Sequence, residues 1–309
     1  MSSSPVKAES AWRGVTPPVA VCLGLLYFIW GSTYLAIRYV VEVLPAMLAS
    51  GVRFVIAGCI LFVFLLSRKA PLPTRREWLA SAPVGVLMFM VGNGFVALSE
   101  KHVSSSAVAV LIGTMPLFSA LIASQMGERT SRRQWVGLGF GFLGILVMGG
   151  GDLRGTPGSL ALVLLAAAGW ALGTNLTRKL PLPKGMMASA TQMITGGFSL
   201  LIAGSVLGER LPEQSLSEIP GKAFFALAYL IVAGSLIAFS AYMYLLRHAP
   251  ASVATSYAYV NPMVAVAFGI VIGNERVGVS TPIAALLVVV GVAFIMTGKS
   301  GKAPAKASS

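Results

Sequence analysis

The residues of this chain best suited to binding chemistry are a few aromatic, hydroxyl and amide side chains set inside apolar runs. The stretch FIWGSTYLAIRY (28–39) places Trp30, Thr33 and Tyr34 along one side of a helix. Trp170 and Thr174 take similar positions in GWALGTNLTR. Indole N–H and hydroxyl groups turned toward hydrocarbon would go unpaired at a cost, so they must face protein or a wet cavity. For the hydroxyls, close packing of helices by small residues competes with a cavity wall. For the tryptophans, the competitor is the aromatic belt at a membrane surface. Each tryptophan lies eight residues before an arginine, Arg38 or Arg178, which is ~12 Å along a helix and favours the interior. In SVATSYAYVNP, Tyr257 and Asn261 stand four apart on one helical face. Pro262 removes a backbone donor and frees a carbonyl near residue 258, and Pro116 does the same near residue 112. Asn93, between two glycines, either relieves a local distortion, bonds a neighbouring helix or contacts a ligand. This chemistry is reversible recognition of a small, partly polar molecule.

The charged residues fit the same picture. Arg53 lies eight residues into an apolar run, where an unpaired charge is costly. It would meet a ligand carboxylate or work a gate, or else snorkel outward or pair internally with Glu42 or Glu100. Glu128 and Glu275, in GER and NER, read as gate or capping partners of nearby arginines. Every carboxylate lies in a loop, a terminus or a run's end. Coupling to protons would therefore use Glu42, Glu100, His102 or an end-lying glutamate, unless the membrane potential acts on the ligand itself. No phosphate-binding G-x-x-x-x-G-K-[ST] loop is present. Acidic clusters that would hold Mg²⁺ with a diphosphate are missing, as is a G-x-S-x-G nucleophile. Cys22 and Cys59 lack metal-ligand spacing. No catalytic residue, metal or cofactor is expected.

The elements that must position these residues are membrane helices. Of the 309 residues, 56% are hydrophobic and 11% charged, against about a quarter charged in soluble domains. The mean hydropathy is +0.82. Ten apolar runs lie near 19–38, 45–67, 78–99, 105–126, 134–150, 158–178, 186–207, 222–246, 252–273 and 280–298. Each approaches the ~20 residues needed to cross hydrocarbon, and unpaired backbone in lipid requires helices. The expected fold class is all-α integral membrane. Ten spans put both termini on one side. Taking that side as cytoplasmic places 16 of 23 basic and 3 of 10 acidic residues there. The entire net charge of +13 then falls where the positive-inside rule puts it. Nucleic acid is not needed to explain a basic chain; the expected partners are a lipid bilayer and a small-molecule substrate. The 1–18 tail precedes a retained first helix rather than a cleaved signal, and 299–309 is a basic cytoplasmic tail.

The chain also repeats. His102 and His248, Ser106 and Ser252, and Pro116 and Pro262 share an offset of 146, and Gly144 and Gly291 follow at 147. The units are 19–150 and 158–298, each with five spans. An odd number inserts them with opposite orientation, the inverted repeat of many transporters, around a central cavity. Gly137, Gly141 and Gly144 share one side of the fifth run; this serves either packing within the chain or a weak homodimer through the fifth or tenth span.

WGSTYLAIRY, ASGVRFVIAG and the paired GER and NER, in this order over residues 19–298, resemble the EamA family of the drug/metabolite transporter superfamily. VGNGFVALSE, AYMYLLR and ATSYAYVNP are similar to its YedA-like bacterial branch. The resemblance implies a ten-helix permease of the bacterial inner membrane, usually an exporter of small metabolites, with the first four helices of each half around the cavity. The expectation is alternating-access export of amino acids or related amphipathic compounds. Broad xenobiotic efflux or a uniporter is the alternative, and an integral membrane enzyme is a more distant one.

Overall fold

The computed structural model describes residues 16–125, 128–129, 131–152, 156–177, 179–210, 219–249, 253, 256–297 and 301–302. The apolar runs fold as helices whose ends follow local chemistry. Helix α1 (Pro17–Val41) opens on prolines, whose missing donors cost nothing in a first turn. Pro45 precedes α2 (Ala46–Ser67). Helix α3 (Arg75–Ser99) starts on a reciprocal cap: Thr74 Oγ1 accepts from the Glu77 amide while the Glu77 carboxylate accepts from Thr74 N. The fourth run is broken into α4 (Ser105–Ile112) and α5 (Met115–Gln125). Pro116, in the first turn of α5, cannot donate back to Ile112, which explains the break. Helix α6 (Arg132–Gly150) begins on a second local cap, made by Ser131 and Gln134. Then come α7 (Pro157–Leu176) and α8 (Met186–Val206). Helix α9 runs through Gly221–Tyr229, Leu230–Ile237 and Ala238–His248, and is followed by α10 (Tyr257–Val271) and α11 (Ser280–Thr297). A two-residue antiparallel ladder pairs β1 (Glu128–Arg129) with β2 (Gly301–Lys302).

Among the described residues, seven helices are long and apolar enough to cross a membrane by length and composition, with shorter apolar helices at Val260–Val271 and Ser280–Ile295. Outward faces carry exposed Phe28, Phe64, Phe142, Phe198 and Phe225. An apolar exterior of this kind needs lipid as its solvent, so the chain is a multi-pass membrane protein.

Glycines set the tightest contacts. Gly51 and Gly58 of α2 meet Gly197, Met193 and Ile194 of α8. Gly137 of α6 faces Gly291 and Ile295 of α11, Gly144 faces Val288, and Gly141 abuts Leu117. The glycine side of the fifth run is thus covered from within the chain.

Two helices contain wide turns that the hydropathy pattern did not reveal. Val86–Gly94 within α3 and Leu230–Ile237 within α9 are π-helical. Each holds a polar side chain bonded to a carbonyl five residues back: Asn93 Nδ2 donates to Met88 O at 3.1 Å, and Ser235 Oγ to Leu230 O at 2.9 Å. Such turns concentrate at functional sites.

Candidate functional site

The α3 π-helical segment lines a central cavity of about 100 Å³ through Gly92 and Asn93, room for several waters at roughly 10–15 Å³ each, and the α9 segment bonds two of its lining residues, Trp30 and Arg53. Trp30, Thr33, Tyr34 and Ile37 of α1 form one wall; Asn93 of α3 and Trp170 of α7 form another; Tyr257, Asn261 and Pro262 of α10 form a third. The α4–α5 break exposes Gly113 and Met115 to the same space. Gly113 abuts Pro262, so the α4–α5 break meets α10 at the proline inside that continuous helix.

Trp30 is the hub. Its Nε1 donates to Gly234 O in the α9 π-segment at 3.3 Å. Its ring centroid lies 5.1 Å from Tyr257, 5.3 Å from both Phe239 and Tyr242, and 6.5 Å from Trp170. The Trp170 ring in turn rests on Gly92 of the α3 π-segment. Phe239 and Tyr242 were not singled out as wall residues from the sequence. The available signal is their spacing of three on one helix, which gives them a shared face.

The polar groups of this region sort into spent and unspent. Ser32 Oγ bonds Ile29 O and Tyr229 OH, a packing role. Thr33 Oγ1 donates to Trp30 O at 2.6 Å, and Thr174 Oγ1 to Trp170 O at 2.8 Å. Thr174 is not on the cavity lining: its hydroxyl is turned back along its own helix. Asn93 takes the first of its three alternatives, bonding a carbonyl within the π-turn, and also lines the cavity. Asn261 is 7% exposed, and its Oδ1 has no partner among the described residues.

Arg53 is 5% exposed and lines the cavity. Its Nε donates to Ser235 Oγ at 3.1 Å, and its guanidinium carbon sits 4.5 Å from the Phe54 ring centroid. Among the described residues no carboxylate lies within ion-pair distance of it; Glu42 pairs instead with Arg38 at 3.1 Å. The internal pair with Glu42 or Glu100 expected as one alternative is therefore not formed. Ser235 takes that place by carrying the π-turn and the arginine together.

At one end of the bundle, loop carboxylates cap helices from afar. Glu275 Oε1 accepts from Ser105 N and Oγ at 2.8 and 2.7 Å; Oε2 accepts from Ser106 N and Oγ at 3.1 and 2.6 Å. Glu209 accepts from Met47 N and Leu48 N, each at 3.0 Å through Oε2. Asp152 accepts from Thr281 N at 3.1 Å and from its hydroxyl. Each helix start has free donors and the positive end of a helix dipole, so a carboxylate is favoured there. Glu275 thus caps a helix; the expected arginine partner is corrected, because backbone and hydroxyl donors occupy both its oxygens. Partial burial works to raise the Glu275 and Asp152 pKa values, but the bonds from serine, threonine and backbone donors outweigh it, and both lie below the usual range. The side chain of Glu128 lies outside the described residues.

Beside Glu275, Arg38 Nη1 donates to Glu100 O and Val103 O at 3.0 and 2.7 Å. A second cavity of about 330 Å³ opens here, lined by Arg38, Glu42, His102, Lys222, Glu275 and Arg276 among others. Glu100 itself is 0% exposed. Burial first, and the charge of Glu275 second, push its carboxyl well above the usual range, against a smaller opposing pull from Arg38.

A cavity inside a lipid-facing helical bundle is what a permease requires, and the family comparison decides the class. The model of the EamA-like transporter family matches residues 18–150 and again 158–297. The chain belongs to the EamA-like transporter family. It is 41% identical over 284 residues to the uncharacterized inner membrane transporter YedA of Escherichia coli (strain K12), covering 91% of this chain and 92% of that protein. It is 26% identical to the uncharacterized transporter YoaV of Bacillus subtilis (strain 168), covering 89% and 96%. One solved crystal structure superposes with a TM-score of 0.62 at 17% identity, covering 90% of this chain and 96% of that one. At that identity the likeness concerns the fold alone. Membership places this EamA-family chain among transporters rather than enzymes.

Proposed function

We propose that this protein is a secondary transporter that exports small amphipathic metabolites, amino acids first among them, across the inner membrane by alternating access. One observation carries the substrate class: among the described residues, an Arg53 guanidinium without a carboxylate partner and an Asn261 Oδ1 without a hydrogen-bond partner share one aromatic-walled cavity. A zwitterion satisfies both. Its carboxylate meets Arg53 in a charge-assisted pair; its ammonium meets Asn261 Oδ1 and the faces of Trp30 and Tyr257. An apolar side chain then lies against Val96 and Ile112, which line the same space. Ten spans in two inverted five-helix units are supported by the double family match and by the recurring motifs. The charge asymmetry supports cytoplasmic termini. In that orientation the Glu275 end is periplasmic, and its docked carboxylate caps would favour a closed state on that side. Any homodimer would use the outward faces of α6 and α11, because their glycine faces are spent on each other.

The test is counterflow in proteoliposomes with radiolabelled leucine, phenylalanine and threonine, each beside its carboxamide. Arg53→Ala should raise the half-saturation concentration for the amino acids by at least about 30-fold, the effect of losing a buried charge partner worth ~2 kcal/mol or more. The carboxamides should be little changed. Equal losses for acid and amide would remove Arg53 from the site. The second reading, broad efflux of aromatic cations, rests on the aromatic share of the wall and predicts transport insensitive to Arg53→Ala.

A further inference from the structure

The Glu100 carboxyl is the least compensated polar group described in this protein. It is 0% exposed, and neither of its oxygens has a hydrogen-bond partner among the described residues. Arg38, the nearest cation acting on it, spends Nη1 on backbone carbonyls, including that of Glu100 itself, and Nε on Glu42. An ionised carboxylate left so would cost several kcal/mol, whereas a neutral one does not.

The surroundings supply reasons for that proton to move. From α1, Arg38 and Tyr34 face Glu100; from the segment after α10, Glu275 does. Helix α7 and the α3 π-segment pack beside it without a titratable side chain, and α2 brings only Arg53 and Cys59. Lys101 and His102 follow it in its own loop. Tyr34 lines the central cavity, while Arg38 and Glu275 line the outer one. Glu100 therefore stands between the two spaces, beneath the α4 cap.

We infer that Glu100 is the proton-carrying group of the transport cycle, loaded from the outer cavity when the Glu275 end opens and held neutral while that end is closed and the central cavity is empty. The inference rests on the alternating-access reading. When the end is open, water delivers a proton and the carboxylate becomes COOH. Closure buries it with Glu275 back on Ser105 and Ser106. The O–H bond breaks when an ammonium group arrives in the central cavity near Tyr34; the cation favours the carboxylate, and cavity water takes the proton. One proton moves inward for each zwitterion moved outward.

Two measurements on the full chain in lipid test this. Infrared difference spectra of the ligand-free protein at neutral pH should show a protonated-carboxyl stretch that Glu100→Gln removes. Glu275→Gln, which deletes the neighbouring charge and loosens the cap, should make that band disappear at lower pH. In proteoliposomes loaded with labelled leucine, phenylalanine and threonine, external acidification should accelerate wild-type efflux. Glu100→Gln, an isostere of the neutral form, should keep counterflow yet lose at least tenfold of the gradient-driven component. Should that variant fail to insert, Glu100→Asp should retain coupling with a displaced pH profile. A wild-type spectrum lacking the band overturns the inference, as does undiminished gradient-driven efflux in Glu100→Gln. If no probe amino acid moves, the substrate reading fails, and the spectra alone decide for or against the proton site.

Discussion

The two ends of the helical bundle stop their helices by different means. At one end, α3 and α6 begin on caps closed within four residues, Thr74 with Glu77 and Ser131 with Gln134. At the other, α2 and α11 take their caps from carboxylates distant in sequence, Glu209 and Asp152, and α4 adds the distant Glu275 to a local Ser104 cap. A local cap stabilises its helix in any arrangement of the bundle. A distant cap exists only while its loop is docked, so its free energy belongs to the docked arrangement of that end, which on the alternating-access reading is its closed state. Glu209 and Glu275 lie in the second family-matched segment and hold helices of the first; Asp152 lies just beyond the first and holds a helix of the second. The contrast separates folding of the helices from the docking of the loops at one end.

The largest change should come from Glu275→Ala. It deletes an anion serving two backbone donors and two hydroxyls; at ~1.5–3 kcal/mol for bonds to a charged group, the open-to-closed ratio should rise at least about tenfold. Labelling of Ser104→Cys by a membrane-impermeant maleimide measures it, and unchanged labelling would show that Glu275 is no latch. Glu209→Gln should act in the same direction more weakly, since only backbone donors are served. Its readout is labelling of Leu48→Cys.

Acidity offers a third handle, with opposing signs. Glu275 and Asp152 have lowered folded values. Their contribution is complete above the unfolded values of about 4.3 and 3.9, and is lost as pH falls through the lower folded values. Glu100 has a raised folded value, so its contribution is complete below about 4.3 and is lost as pH rises through the folded value. Thermal stability against pH should therefore decline on both sides, and Glu100→Gln should abolish only the alkaline decline. The smallest effect should be that of Thr74→Ala: about 1 kcal/mol of helix stability, seen as a modest drop in Tm with labelling at the Glu275 end unchanged.

Much of the cavity was legible because its residues break an apolar background. Trp30, Tyr34, Trp170, Tyr257 and Asn261 stand out by type, and helical spacing aligns them. Thr174 shared that signal and still turned away, since a threonine hydroxyl can be satisfied by its own helix. The π-turns left no hydropathy signature. Asn93 and Ser235 could be seen as polar residues, but not as ones reaching five residues back.

The sequence by itself determined that this chain lives in a bilayer, that its motifs recur, and which family it joins, because composition, run length and motif order are properties of the linear chain. Only the tertiary structure decided that, among the described residues, Arg53 has Ser235 instead of a carboxylate, Glu275 caps a helix, and Glu100 is buried without a hydrogen-bond partner. A side chain's charge compensation is set by whatever lies within a few ångströms of it, and for these three the decisive neighbours, Ser235, Ser105 and Ser106, and Arg38 with Glu275, are distant in sequence.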